Sequence, residues 1–240
     1  MKGPRLCRGM SYSLRVFASL LARCEEWGYI PHGSNPARHI KQNPHRVKHR
    51  PLTVDELHQV GATINEMQSD GKMPATAAAI LRLLLLTGCR RAEIVTLKWA
   101  DIDMDEACIV FKDHKTAKRM GAKKVFLGPA GMEIIKGMAG LQIGPYVFPS
   151  REGQGHLSPQ IANAWWNKVR AEVKIPDARI HDLRHTLGAK AGAILPAFMV
   201  QTLLGHSQPS TTSRYATPLD LAVQEKAHEL QDDIAKALGL

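Results

Sequence analysis

The chain has 240 residues, enough for one sizeable hydrophobic core or for one domain with a smaller attachment. Lys and Arg number 32 against 22 Asp and Glu, a formal charge of +10, which favours a polyanionic partner; an aromatic content of 5% argues against base stacking as the main grip. Four scattered cysteines (Cys7, Cys24, Cys89, Cys108) form no Cys-x-x-Cys pair, which reads as reduced thiols in a cytoplasmic protein, and no apolar run approaches a membrane span.

The first element predicted is an amphipathic helix over Ser11 to Trp27. Leu14, Phe17, Leu20, Leu21, Cys24 and Trp27 recur at helical spacing, and Gly28 and Pro31 end the pattern. Lys2, Arg5 and Arg8 ahead of LRVFASLLA imitate a signal peptide, but Arg15 interrupts the apolar part. The stretch SNPARHIKQNPHRVKHRPLT is rich in proline and basic residues and reads as a linker.

A second region begins near Thr53. Thr53 and Glu56 have the spacing of a capping box, in which each side chain satisfies a backbone N–H of the other, so a helix is predicted through about Gln68. The next helix, Pro74 to Leu86, is apolar on nearly every face and is predicted to be buried. It stops at Thr87-Gly88, since glycine takes the left-handed conformation that ends a helix. Cys89-Arg90-Arg91-Ala92-Glu93-Ile94 follows directly, putting a basic residue at a turn braced by the core, with Glu93 as a structural partner for an arginine.

Ala107 to Phe111 and Lys124 to Leu127 are short apolar runs flanking a basic stretch, which predicts a hairpin with KDHKTAKRMGAKK at its turn. Proline-led helices are expected after Gly128 and Ser158, the second carrying Trp165 and Trp166 as core packing. Another, Arg179 to Gly192, puts His181 and Arg184 on one face, where a planar guanidinium and an imidazole can grip one small anion. His185 lies on nearly the same face, so spacing alone does not choose between the histidines. Pro196 to Leu204 is read as a helix capped by Gly205-His206, and Tyr215 stands nine positions after that histidine. Pro218 to Leu240 is an amphipathic helix with Leu219, Ala222, Val223, Ala227, Leu230, Ile234 and Leu238 along one side. The predicted class is mainly α with a small antiparallel β-sheet (α+β).

Arg90 in TGCRRAEI, Lys115 on the hairpin, His181-x-x-Arg184, Gly205-His206 and Tyr215 together resemble the boxes of the tyrosine recombinases of the phage integrase family, over about residues 10 to 235. Each box alone is weak; the ordered set is specific. The resemblance implies the tyrosine-recombinase catalytic fold over residues 51–240. It also implies that residues 1–50 are the C-terminal remnant of a helical core-binding domain plus a basic linker, since NPARHI and a basic R-x-LT mark that join.

The resemblance further implies that Tyr215 attacks a DNA phosphate and forms a 3′-phosphotyrosine link. Arg90 and Arg184 would hold the non-bridging oxygens, His206 would add a hydrogen bond, and His181 would accept or steer the tyrosine proton. Lys115 would protonate the leaving 5′ oxygen, with Lys118 as the rival in the same loop. Arg91, Lys112, Lys118, Arg119, Lys123 and Lys124 are the candidate DNA-backbone contacts. Neither a metal nor ATP is implied, because fixed cations supply the charge stabilisation and the bond energy stays in the phosphotyrosine. The implied partner is double-stranded DNA, bound by a dimer or tetramer assembled through the C-terminal helix, with no membrane. A relaxing topoisomerase of type IB and a DNA-binding remnant without catalysis are the competing readings. With one convincing helix ahead of Thr53, the chain is expected to be a truncated product that binds DNA weakly and with little sequence preference.

Overall fold

A computed structural model describes residues 8–40, 50–112, 122–141, 143–150, 155–196, 199–200, 203–204 and 216–240. The chain divides into two compact units, Met1–Lys48 and His49–Leu240.

In the first unit, helix α1 (Arg8–Glu26) is followed by a 3₁₀ turn, Pro36–His39. The stretch read as linker is therefore partly a built turn. Asn35 caps it by accepting the Ala37 N–H at 3.0 Å and ties it to α1 by donating to the Ala18 carbonyl at 3.0 Å. Glu25, buried, accepts from the Asn35 N–H and from Arg38, both at 2.8 Å. Tyr12, Val16, Phe17 and Leu20 of α1 remain more than half exposed.

The second unit opens with the predicted capping box. Thr53 Oγ1 accepts the Glu56 N–H at 3.2 Å, and Glu56 accepts the Thr53 N–H at 2.9 Å, starting α2 (Val54–Ser69). Helix α3 (Ala75–Thr87) is buried along nearly its whole length, as an all-apolar sequence requires. Around it pack α2, α4 (Arg91–Val95), α5 (Pro129–Ala139), α6 (Pro159–Glu172), α7 (Ile180–Ile194) and α8 (Ala216–Leu238). Each fully buried Leu there contributes about 1.5–3 kcal/mol of hydrophobic stabilisation.

The sheet is antiparallel, in the order β1 (Ile102–Asp103), β2 (Cys108–Phe111), β3 (Lys123–Phe126), with Cys108 opposite Phe126 and Phe111 opposite Lys123. Two residues are too few to show an alternating pattern, so β1 is not visible in the sequence. Trp166 is fully buried and donates its indole N–H to the Ala178 carbonyl at 3.0 Å. Trp165 lies only partly buried, under the Lys168 ammonium. The region expected as a helix over 196–204 lies partly outside the described residues; its Val200 and Leu204 N–H groups donate to the Pro196 and Val200 carbonyls.

Helix α8 lays Val223, Ala227, Leu230, Ile234 and Leu238 on its own unit, against α2, α3 and α5. The buried Gln231 clasps it there, accepting the Gly128 N–H and donating to the Phe126 carbonyl. At Gly61 of α2, an added Cβ would overlap the Leu238 backbone, so glycine is required by close helix approach. Alanine in a helix interior normally stabilises by about 0.5–1 kcal/mol relative to glycine. Gly61→Ala is expected to do the opposite, losing about 1–3 kcal/mol through overpacking. Chemical denaturation reads the sign, and a stabilised variant would show that the two backbones do not meet.

Candidate active site

Three elements meet where α3 ends. Gly88 takes the left-handed conformation, φ 59°, and its N–H closes the helix on the Leu84 carbonyl at 3.1 Å. A Cβ there would lie 2.8 Å from Leu187 Cδ2, the movable end of a side chain, so it is the left-handed conformation that favours glycine. Cys89 turns inward and is buried, which pushes its thiol pKa up, and the extended Arg90 then caps α4.

Arg90 is half exposed, its side chain 47% accessible, and Glu93 braces it. Glu93 Oε1 accepts from the Arg90 guanidinium at 2.8 Å, and Oε2 accepts from the Arg90 backbone N–H at 2.9 Å. The expectation that Glu93 orients an arginine thus has its geometry.

Helix α7 supplies His181 and Arg184. Arg184 is buried and spans two chain segments: Nη1 donates to the Gly88 carbonyl at 2.6 Å and Nη2 to the Leu204 carbonyl at 2.7 Å. Burial, and then the neighbouring charge of Arg90, lowers its pKa from the ordinary arginine value. Two guanidinium groups are thus held close enough to repel, an arrangement that an anion between them relieves.

The start of α7 is fixed by Asp182, which is fully buried. Burial alone would raise its carboxyl pKa, but hydrogen bonds from the Arg179 side chain and N–H hold it below the usual range. Thr186 Oγ1 donates to the Asp182 carbonyl at 2.8 Å and accepts the Leu52 N–H at 2.9 Å, fastening α7 to the segment ahead of α2. His181 keeps one side open to solvent. Partial burial, then the charge of Arg184, pushes its pKa down; Asp182 opposes this, and Arg179 and Arg90 add to it. Its ring meets the edge of His185 at 4.8 Å between centroids. Neutral at pH 7, the imidazole can accept a proton.

Of the expected site residues, Arg90, His181 and Arg184 come together. Lys115, His206 and Tyr215 lie outside the described residues, as do Lys118 and Arg119. Lys112 is exposed at the end of β2, Arg91 is half-buried on α4, and Lys124 is exposed with its ammonium 3.5 Å from Glu106. Lys123 must be taken out of the surface set as the structure stands. Its side chain is 4% exposed and its ammonium is 2.7 Å from Glu93 Oε2. In β3 Lys123 shares a face with the buried Val125, but Lys124 shares one with the buried Phe126, so alternation alone does not mark the inward lysine. Among the described residues no three His, Cys, Asp or Glu side chains form a metal-ligand group, and no helix is long and apolar enough to cross a membrane.

A sequence model of the phage integrase family matches residues 50–221. The prophage integrase IntF of Escherichia coli K12 is 28% identical over 160 residues, 64% of this chain and 33% of that protein. The tyrosine recombinase XerC of Mesorhizobium japonicum is 27% identical over 233 residues, 92% of this chain and 72% of that protein. Among solved structures, a λ integrase dimer bound to a COC′ core site superposes with a TM-score of 0.60 at 18% identity, covering 83% of this chain and 74% of that one. The chain thus spans about a third of the length of IntF and about three quarters of XerC.

Proposed function

The chain belongs to the phage integrase family, and from that premise we propose that it is a site-specific DNA recombinase working through a 3′-phosphotyrosine intermediate. The observation that carries this reading is the convergence of Arg90 and Arg184 beside a depressed His181. Such a site suits a dianionic, five-coordinate phosphate better than a diester ground state, so it stabilises the transition state selectively.

In the reaction, the Tyr215 hydroxyl oxygen attacks phosphorus and its proton passes to His181. The bond from phosphorus to the 5′ oxygen breaks, and that oxygen takes a proton from Lys115. Arg90 and Arg184 hold the non-bridging oxygens, and His206 donates to one of them. The liberated 5′ hydroxyl of another strand reverses the step, so the bond energy is conserved without ATP.

The second unit carries this chemistry, and the first, with α1 and its braced turn, is the remnant of a core-binding domain with its basic linker. Lys112, Lys124 and Arg91, with Lys118 and Arg119 of the hairpin loop, contact the backbone. A similar solved structure is a λ integrase dimer bound to a COC′ core site, and on this reading the chain acts on double-stranded DNA in an assembly of the same kind, in the cytoplasm. Because α8 commits Val223, Ala227, Leu230, Ile234 and Leu238 to its own unit, with Leu219 and Ala222 outside the residues whose side chains are described, the outer face bearing Glu225, Glu229 and Asp233 is the part left for a neighbouring subunit. The direct test is incubation with duplexes carrying the sequences that flank its own gene, followed by a search for protein–DNA adducts that resist denaturant. Their absence from every flanking duplex, nicked duplexes included, would count against the reading.

Lys115 and Lys118 separate by chemistry. Lys115→Ala is expected to cleave ordinary DNA about 10²–10⁴-fold slower, the usual size of a lost general acid. It should recover on DNA with sulfur in place of the bridging 5′ oxygen, because a thiolate leaves without a proton. Lys118→Ala should show only weaker binding with a shallower salt dependence, by about one unit of slope. Sulfur rescue of Lys118→Ala in place of Lys115→Ala reverses the assignment.

A further inference from the structure

We propose that Lys123 is a positioning residue for Arg90, acting through Glu93. Its buried ammonium fixes the Glu93 carboxylate where that group can hold the Arg90 guanidinium beside Arg184 and His181. The consequence for cleavage rests on the recombinase reading; the brace itself rests on geometry.

Glu93 Oε2 receives two donors, the Lys123 ammonium at 2.7 Å and the Arg90 N–H at 2.9 Å, leaving Oε1 for the Arg90 side chain at 2.8 Å. Lys123 is enclosed by the Cys89 sulfur at 3.9 Å and the Phe111 ring, whose centroid is 5.3 Å away. With Oε2 held by Lys123 and the Arg90 N–H, Oε1 is the oxygen turned to the Arg90 guanidinium. Without the Lys123 charge the carboxylate can rotate, or take up a proton. The ammonium is also not available to a phosphate unless this ion pair breaks.

The position of Lys123 in the sheet adds a second consequence. It pairs with Phe111 at the end of the β2–β3 ladder, where the chain enters the loop that holds Lys115. One ion pair therefore joins the base of that hairpin to the turn that presents Arg90.

Charge, not bulk, is the operative property. Burial alone would raise the Glu93 carboxyl pKa; the Lys123 charge and hydrogen bond, followed by the Arg90 bonds, bring it below its ordinary value. The other groups facing this carboxylate are Arg184 from α7 and the Cys89 thiol, which burial keeps protonated. A depressed carboxylate pKa means that the brace holds from neutral pH downward until Glu93 protonates. Removing the Lys123 charge moves that loss to higher pH.

The test uses the full chain without DNA, following the Glu93 carboxyl carbon and the Arg90 guanidinium by NMR across a pH titration. The parent and Lys123→Arg should show Glu93 titrating below the usual carboxylate range with restrained Arg90 rotation. In Lys123→Met, which keeps the length and removes the charge, the midpoint should rise and Arg90 should rotate freely below it. On a nicked duplex from the gene's flanks, Lys123→Met should cleave about 10- to 10²-fold slower, with the deficit growing at acid pH, short of the ~10²–10³ for outright loss of an oxyanion donor. Lys123→Arg should stay within about threefold of the parent by the same scale. If Lys123→Met does not fold, the double variant Lys123→Met/Glu93→Gln should cleave as Glu93→Gln alone. An unmoved Glu93 midpoint in folded Lys123→Met overturns the proposal. So does a double variant an order of magnitude slower than Glu93→Gln. If the parent cleaves no flanking duplex, the recombinase reading fails, and the titration still decides the brace.

Discussion

Tyr215→Phe is expected to bind a target duplex nearly as the parent does and to yield no denaturant-resistant adduct. Loss of a covalent nucleophile costs on the order of 10⁶ in rate in other enzymes that work through such intermediates, so the variant should fall to background. The substitution removes one oxygen and leaves the ring, which makes the binding arm of the measurement a control for folding. In the parent the hydroxyl must surrender its proton to become a competent nucleophile, since its ordinary pKa is about 10. In the proposed mechanism His181 takes it, and its own pKa is pushed down by partial burial and then by Arg184. A base with a depressed pKa is already free at neutral pH. Cleavage by the parent should therefore hold through neutrality and fall only on the acid side of the ordinary histidine range, as a single-turnover pH profile will show. A normal adduct yield from Tyr215→Phe would transfer the nucleophile elsewhere. Tyr146, the other tyrosine of the catalytic unit, is packed against His156 and Lys98 and is poorly suited to replace it.

Local spacing made part of this legible. The Thr53–Glu56 box, the all-apolar α3 and its glycine stop are written within a few residues of where they act, and each appears where the spacing predicts it. The pairing of His181 with Arg184 is also local, one turn of α7. Partners distant in sequence escaped. Nothing near Arg184 announces that it will donate to a carbonyl 96 residues away, or that burial will make it a tie between segments as well as an anion ligand. Composition groups Lys123 with its basic neighbours, and nothing within β3 announces its ion pair with Glu93, 30 residues earlier. Proline and basic residues mark Pro36–His39 as linker in the sequence; the buried Glu25 that organises the turn sits on the preceding helix. Lys115, His206 and Tyr215 stand on the order and spacing of their motifs.

Arg184→Lys should show how far the site depends on shape rather than on charge. The arginine fork reaches the Gly88 and Leu204 carbonyls with separate nitrogens, at 2.6 and 2.7 Å, from a nearly inaccessible position. Lysine keeps the positive charge but offers one compact ammonium, which cannot satisfy two carbonyls on different segments and still face a phosphate. A buried acceptor left without a donor costs about 1–3 kcal/mol, so the variant should be less stable by about that amount in denaturant titration. Cleavage should fall further, by about 10²–10³, as when a preorganised donor is lost from a developing anion. DNA affinity should change little, because the net charge is unaltered and salt-dependent binding counts charges. Arg90→Lys offers the contrast, since Arg90 is half exposed and held through Glu93 alone among these bonds. It should lose cleavage with little change in stability. Equal destabilisation by both substitutions, or near-parental cleavage by Arg184→Lys, would show that the two-carbonyl tie does not shape the site.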